Sequence, residues 1–277
     1  MDIRPLTGHF GAEIFGADMR DPAQFEAIKA AFTQYSVIKL AGQSITPDDH
    51  LAFARRWGDI NVNRFFRAVD THPEIAEVLK EKNQKGAIDE VWHTDHSYDQ
   101  IPALGSILHA IETPPYGGDT VFCYMAAAYD ALSEPFKLFL KGLNAWHSSR
   151  HVFGVRKDHT DATDTGRVGN ADKATQDALH PVVIAHPDTG RAALYTNSDF
   201  TTHFEGWTAK ESRPLLDQIE AHATTPEFTC RVAWAPGTLT MWDNRAVMHK
   251  AINDYHGHRR LMHRITIEGA PLRAYSA

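Results

Sequence analysis

The chain has 277 residues, an ordinary 43% hydrophobic content and a formal net charge of −7, enough for one large core without covalent staples. An acidic chain with no long Lys/Arg block lacks the electrostatic footprint of a nucleic-acid binder, and no stretch approaches the roughly 18–20 apolar residues of a membrane span. Cys123 and Cys230, the only two cysteines, exclude a disulfide framework or a cysteine-rich zinc site and fit buried small hydrophobes in a reducing compartment.

The N-terminal third mixes strands and helices. The first residues have no basic stretch followed by an apolar run, so no signal peptide is expected and the expected location is cytoplasmic. Runs rich in Ile, Val and Phe at 11–15 and 36–40 predict short strands. Between them Asp21-Pro22 predicts a helix start running to Phe32, since Asp caps and Pro suits the first turn. Thr46-Pro47-Asp48-Asp49 opens a second helix, with Leu51, Phe53, Ala54 and Trp57 near helical spacing.

From about Gly105 the pattern changes to short β-rich runs at 106–111, 120–124, 143–147, 182–185, 192–196, 228–234, 238–242 and 261–267, many divided by Gly, Pro, Asn or Asp. Helical insertions are expected at 126–141 and 210–223. Many short strands predict a mainly β sandwich or barrel with helical insertions. The stretch 155–178 is polar and poor in aromatics, and is expected as a mobile loop within a single domain spanning 1–277.

Chemistry concentrates in a few places. In Trp92-His93-Thr94-Asp95, an extended backbone puts His93 and Asp95 on one side, imidazole nitrogen beside carboxylate oxygen. An HxD pair alone is weak, because 17 histidines make short polar pairs common. A distant second histidine would complete the set, and His249, after Trp242-Asp243-Asn244-Arg245, is the best candidate. Two His and one carboxylate on one face of an ion leave coordination positions open, the arrangement of non-haem Fe(II) oxygenases. Two other readings stay open on residues alone: a zinc hydrolase on the same trio, and a non-catalytic metal- or 2-oxoglutarate-binding sensor.

Across nearly its whole length the chain resembles the TauD/TfdA group, which contains taurine dioxygenase and the dioxygenases of phenoxyalkanoate herbicides. The resemblance begins at Pro5-Leu6-Thr7-Gly8 and Gly11-Ala12-Glu13-Ile14 and continues through Phe53-Ala54-Arg55-Arg56-Trp57-Gly58. It is strongest at Trp92-His93-Thr94-Asp95, Gly117-Gly118-Asp119-Thr120, Trp242-Asp243-Asn244-Arg245 and His263-Arg264. It implies a double-stranded β-helix (jelly-roll) core and a soluble, often oligomeric enzyme. Its implied cofactors are Fe(II), 2-oxoglutarate and O2, and its substrate is a small organic anion of the sulfonate, alkyl sulfate or aryloxyalkanoate class.

By that resemblance His93, Asp95 and His249 are the catalytic metal ligands. Halogenases of the wider superfamily lack the carboxylate, so Asp95 points to hydroxylation. Thr120 and Arg260, eleven positions after His249, match the residues that hold the far carboxylate of 2-oxoglutarate, for which a planar guanidinium is well suited. Arg264 matches a residue that anchors the substrate's anionic end, or else contacts the co-substrate.

Asn63 and Phe66 stand where taurine dioxygenase has a His and a Tyr in its substrate pocket, and Asp89 is nearest to an Asn before the metal motif. The first two exchanges make the pocket less suited to taurine, and Phe66, with Phe65 beside it, favours a more apolar or aromatic substrate body. The segments 147–154 and 228–232 echo the phenoxyalkanoate branch.

Overall fold

Period-two alternation divides the long strands between two cores. On strand Gly105–Glu112, Leu108 and Ala110 face one way while Ile107 faces the other; on Arg260–Ile267, Met262 opposes Ile265 and Ile267; on Leu239–Asp243, Trp242 opposes Met241. Each residue of a strand reverses face, so a single register fixes both cores at once. The computed structural model describes residues 1–154 and 168–276.

The larger sheet runs in the order Asp2–Pro5, Ala12–Phe15, Val37–Leu40, Leu239–Asp243, Gly105–Glu112, Arg260–Ile267, His72–Lys80, Ala68–Val69, with Ile60–Asn61 also on Arg260–Ile267. Its outer face is covered by helices Phe25–Tyr35 and Pro47–Ala54, which bury Ile28, Phe32, Leu51 and Phe53 against Ile38, Ile107, Met241 and Ile265. Its inner face packs on three small sheets, centred on Thr120–Tyr124, Asn144–Ser148 and Val183–Ala185. Phe122, Ala145, Val183 and Leu194 there meet Leu108, Trp242 and Met262. These layers form the jelly-roll core, mainly β with helical insertions.

Local chemistry explains the boundaries. Thr46 accepts from the Asp49 N–H while Asp49 accepts from that of Thr46, a capping box with Pro47 in the first turn. Asp21 caps Ala23, but the first turn after it, Pro22–Gln24, is a 3-10 turn and the α-helix starts at Phe25. Left-handed Ser36 then turns the chain into strand Val37–Leu40.

Sequence reading placed the β-rich runs correctly to within a few residues. It missed Asp2–Pro5, His72–Lys80, Asp177–Pro181, Thr201–Phe204 and Val247–Ala251, which are charged or interrupted by polar residues. The insertion expected at 126–141 is two helices, Met125–Asp130 and Glu134–Lys141, broken at Ser133. Of the loop expected at 155–178, residues 155–167 lie outside the described ones. In the rest of it, Val168 bridges to Phe66, Ala171–Lys173 makes a 3-10 turn and Asp177 opens a strand. Cys123 and Cys230 are buried and free on adjacent strands, and burial pushes the Cys230 thiol up to about 12. Among the described residues, no helix is long and apolar enough to cross a membrane.

Beneath helix Pro47–Ala54 the outer face carries histidines. The rings of His50 and His109 lie 6.0 Å apart. Burial, with the nearby His109 and His263, lowers His50 to about 3, and burial also holds His147 well below its ordinary value. Unfolded histidine takes a proton as pH falls through about 6.5, whereas these folded ones stay neutral. Each therefore removes about 1.4 kcal/mol of stability per pH unit below 6.5, down to its folded pKa. The Tm is expected to be flat above pH 7 and to fall steeply between pH 6 and 4, less steeply in His50→Gln; equal slopes for the two proteins would contradict this.

Candidate metal and co-substrate site

His93 and His249 are far apart in sequence but form an isolated antiparallel bridge. The His93 N–H donates to the His249 carbonyl at 3.0 Å and the His249 N–H returns a bond at 2.8 Å. Their rings lie 4.0 Å apart. His249 sits on its own strand, Val247–Ala251, paired opposite Phe122, whose ring lies nearly parallel to it at 5.9 Å. Strand pairing in the small sheet thus delivers one imidazole and the bridging loop the other, and the i, i+2 spacing brings Asp95 along with His93.

His93 Nδ1 lies 2.8 Å from the Val91 carbonyl. A carbonyl only accepts, so Nδ1 carries the hydrogen and Nε2 keeps its lone pair. That Nε2 is buried without a hydrogen-bond partner and lies 3.7 Å from Asp95 Oδ1. The other oxygen of Asp95 is 4.0 Å from His249 Nε2.

Asp95 is fixed by Ser106, whose hydroxyl donates to Oδ2 at 2.6 Å, and by Arg264, whose Nη1 donates to Oδ1 at 3.2 Å. Burial alone would raise its pKa, but Arg264, His249, His93 and the Ser106 hydrogen bond outweigh it and hold the carboxyl ionised well below the usual range. Burial together with His93 pushes His249 far down, to the neutral form that binds metal. For His93 burial is opposed by Asp89 and Asp95, which raise it. An orphaned imidazole nitrogen, a second neutral imidazole and an ionised carboxylate on one spot suit a divalent cation of intermediate softness.

A second carboxylate is also present. Asp89 Oδ1 lies 3.7 Å from His93 Nε2, so Asp89, His93 and His249 form a compact donor set of their own. Asp95 is the better ligand on physical grounds. It is fully buried, shares the extended segment of His93, and is clamped by Ser106, whereas Asp89 sits on a turn with φ of 67°.

The Trp242-Asp243-Asn244-Arg245 stretch is the scaffold behind His249. The indole N–H of Trp242 donates to Asn244 Oδ1 at 3.0 Å, and the Trp242 ring lies 4.7 Å from that of His249. Arg245 grips both oxygens of Asp243 at 2.8 and 2.7 Å, and His186 Nε2 sits 3.0 Å from Asp243 Oδ2. Burial opposes ionisation of Asp243, but Arg245 and His186 hold its pKa at about 2. Arg245→Ala strands this buried carboxylate and is expected to cost about 3–5 kcal/mol; a chemical-denaturation loss under about 1 kcal/mol would show that His186 alone suffices.

The co-substrate residues converge from opposite layers. The turn before Thr120 needs its glycines: Gly117 and Gly118 have φ of 67° and 70°, and a Cβ on Gly117 would lie 2.3 Å from Asp254 Oδ1. Thr120 accepts at 3.1 Å from the indole N–H of Trp234, and the guanidinium of Arg260 lies 5.7 Å from the centre of that ring. Sequence reading did not assign Trp234, which links the two. Arg260 is buried and its Nε has no hydrogen-bond partner; burial pulls its pKa down, although a guanidinium stays charged. Thr120, Arg260, Arg264, Asp89 and His249 all line one narrow cavity of about 20 Å³, with Val78, Ile88, Leu108 and Trp242 as its apolar wall.

Arg264 is not a free anchor. It donates to Asp95 and, at 3.3 Å, to Asp89 Oδ2, and it lies 4.5 Å over the ring of Phe66. Asn63 is a turn-former: its Oδ1 accepts from the N–H groups of Phe65 and Phe66 at 2.8 and 2.9 Å. Neither Asn63 nor Phe66 is among the residues lining the cavity, and Phe66 reaches the site through its contact with Arg264. Arg64 is spent on Asp99 at 2.6 Å, and Arg67 is exposed near Asp70 and Glu77. An aromatic cluster, Phe65, Phe153, Tyr98 and Phe200, borders the metal side, with Phe200 edge-on to His93 at 6.2 Å. Of these, Phe65 stands out in the sequence beside Phe66, and Phe153 falls within the segment 147–154.

Comparisons with known proteins show the family. Residues 2–266 match the family described as taurine catabolism dioxygenase TauD, TfdA family. An alpha-ketoglutarate-dependent sulfate ester dioxygenase of Pseudomonas putida is 32% identical over 97% of this chain and 90% of its own length. An alpha-ketoglutarate-dependent 2,4-dichlorophenoxyacetate dioxygenase of a Burkholderia sp. is 35% identical over 83% of this chain and 80% of its own. Among solved structures, a taurine dioxygenase from Burkholderia xenovorans superimposes with a TM-score of 0.80 at 31% identity, covering 99% of this chain and 92% of that one. AAD-2, solved with Mn(II) and N-oxalylglycine, gives 0.80 at 29% identity, covering 99% and 100%. The chain therefore belongs to the TauD/TfdA family and is an Fe(II)- and 2-oxoglutarate-dependent dioxygenase.

Proposed function

We propose that His93, Asp95 and His249 hold the Fe(II) ion and that Thr120 and Arg260 hold the far carboxylate of 2-oxoglutarate. The substrate is a small organic anion with an aromatic body, of the aryloxyalkanoate class ahead of alkyl sulfates and sulfonates. The observation that carries this reading is one cavity lined by Thr120, Arg260 and His249, with the Arg260 Nε buried and without a hydrogen-bond partner. Among the described residues no carboxylate pairs with Arg260, and a buried cation without an ionic partner is costly to keep and implies an anionic ligand.

Bound iron supplies O2 activation coupled to decarboxylation of 2-oxoglutarate, giving succinate, CO2 and a hydroxylated substrate. The protein does the rest. The Val91 carbonyl fixes the tautomer of His93, Ser106 and Arg264 keep Asp95 ionised and aimed, and Phe65, Phe66, Phe153 and Phe200 form an apolar wall that excludes water. Hydroxylation at a carbon bearing an ether oxygen gives a hemiacetal, which collapses with release of a phenol.

The aromatic bias rests on that wall, since an aromatic surface favours a flat apolar substrate body beside it. Succinate formation by Fe(II)-loaded protein across aryloxyalkanoates, alkyl sulfates and sulfonates tests the reading. The largest stimulation is expected with an aryloxyacetate or aryloxypropionate, with phenol in equal amount. Stimulation by alkyl sulfates alone would overturn the aromatic assignment, and stimulation by none would overturn the substrate class.

A further inference from the structure

One charged group in the cavity has no part in the reading above. Asp89 places Oδ1 3.7 Å from His93 Nε2 and Oδ2 3.3 Å from Arg264 Nη1. Its position is built in: a non-glycine residue is held at φ of 67°, and its carbonyl accepts from the Ala251 N–H at 2.8 Å, tying the turn to the strand of His249. Among the described residues Arg264 has two ionic partners, Asp95 and Asp89, and its buried Nε has no hydrogen-bond partner. Phe66 lies 4.5 Å from the guanidinium and covers one face of it, leaving its edges for partners.

Asp95 is committed to the metal and to Ser106, so Asp89 is the carboxylate that occupies Arg264 on the cavity side. An incoming carboxylate or sulfate meets an arginine that is already paired, and meets a like charge beside it. We propose that Asp89 determines specificity as an internal counter-ion, holding the edge of Arg264 that the anionic end of a substrate or co-substrate must take. This rests on the metal and co-substrate assignments above. The selective effect is a threshold: weakly competing anions and stray phosphate are rejected, and only a ligand with enough additional contact displaces the pair.

Asp89→Asn keeps the shape and removes the charge. Calorimetry with Mn(II)-loaded protein, which binds without turnover, has three arms: 2-oxoglutarate alone, then phenoxyacetate, then the uncharged phenoxyethanol, the last two with 2-oxoglutarate present. At least one of the two anions is expected to bind ten-fold or more tighter to Asp89→Asn than to the parent, with phenoxyethanol changing less than two-fold. The arm that tightens identifies which anion uses Arg264. If neither anion tightens, or if phenoxyethanol tightens equally, Asp89 is not a counter-ion gate. If the parent protein itself fails to bind Mn(II) and 2-oxoglutarate, the site assignment falls first and takes this inference with it, so the two failures are separable.

Discussion

His93→Ala, Asp95→Ala and His249→Ala are each expected to lower metal affinity and turnover by at least about 10³-fold, since loss of a mere supporting contact around a metal already costs about 10–100-fold. The reasons differ. His93 and His249 are bound to each other through backbone hydrogen bonds, which alanine keeps, so those two variants should stay folded and lose only the ring. Asp95→Ala leaves buried Arg264 with Asp89 as its one ionic partner, so it should also lower stability.

Two carboxylates stand at 3.7 Å from His93 Nε2, and the same experiment decides between them. Asp95→Asn should lose metal while Asp89→Asn keeps it. The reverse result would exchange their roles. Protons compete with metal at His93, whose pKa lies above its ordinary value once its carboxylate neighbours outweigh burial. Metal affinity should therefore fall as pH drops through the neutral range.

Arg260→Ala should raise the Kd for 2-oxoglutarate by about 10²-fold or more, because a bidentate, charge-assisted pair with each bond worth about 1.5–3 kcal/mol is lost. Metal affinity should not change. Lysine should recover little, having a point charge where the site presents a planar fork. Thr120→Val removes a single neutral contact and should cost about ten-fold or less. Stability gives a second readout: Arg260 is buried with an orphaned Nε, so its removal should leave Tm unchanged or raise it. A large drop in both Tm and metal binding would mean that Arg260 is a structural residue.

What could be read in advance follows from how local the determinants are. His93 and Asp95 were legible because one extended segment carries both. Arg260 and Arg264 were legible because four-residue spacing on a strand keeps them on one face. The His93–His249 bridge was not derivable from spacing, since it depends on the register of Val247–Ala251 against Thr120–Tyr124, a pairing set by tertiary packing.

Asn63 shows the opposite limit. Its place in a familiar motif suggested a pocket residue, but the short Asn side chain reaches its own backbone first, capping Phe65 and Phe66. Arg264 was read from the same kind of likeness as a substrate anchor or a co-substrate contact; its two carboxylate partners come from distant segments that no local pattern reports. Trp234, Ser106 and Phe200 escaped notice because a tryptophan, serine or phenylalanine looks like ordinary packing until its neighbour is known. The zinc hydrolase alternative gives no role to Arg260, and membership of a dioxygenase family removes it.

The most direct test of the site is an anaerobic titration of the protein with Fe(II) and then 2-oxoglutarate, followed by the visible charge-transfer absorption that arises only when both share one coordination sphere. One equivalent of Fe(II) per chain should give the band with the parent protein, none with His249→Ala, and with Arg260→Ala only at raised 2-oxoglutarate. Binding of both components without the band, or a full band in His249→Ala, would contradict the assignment of this cavity as the catalytic centre.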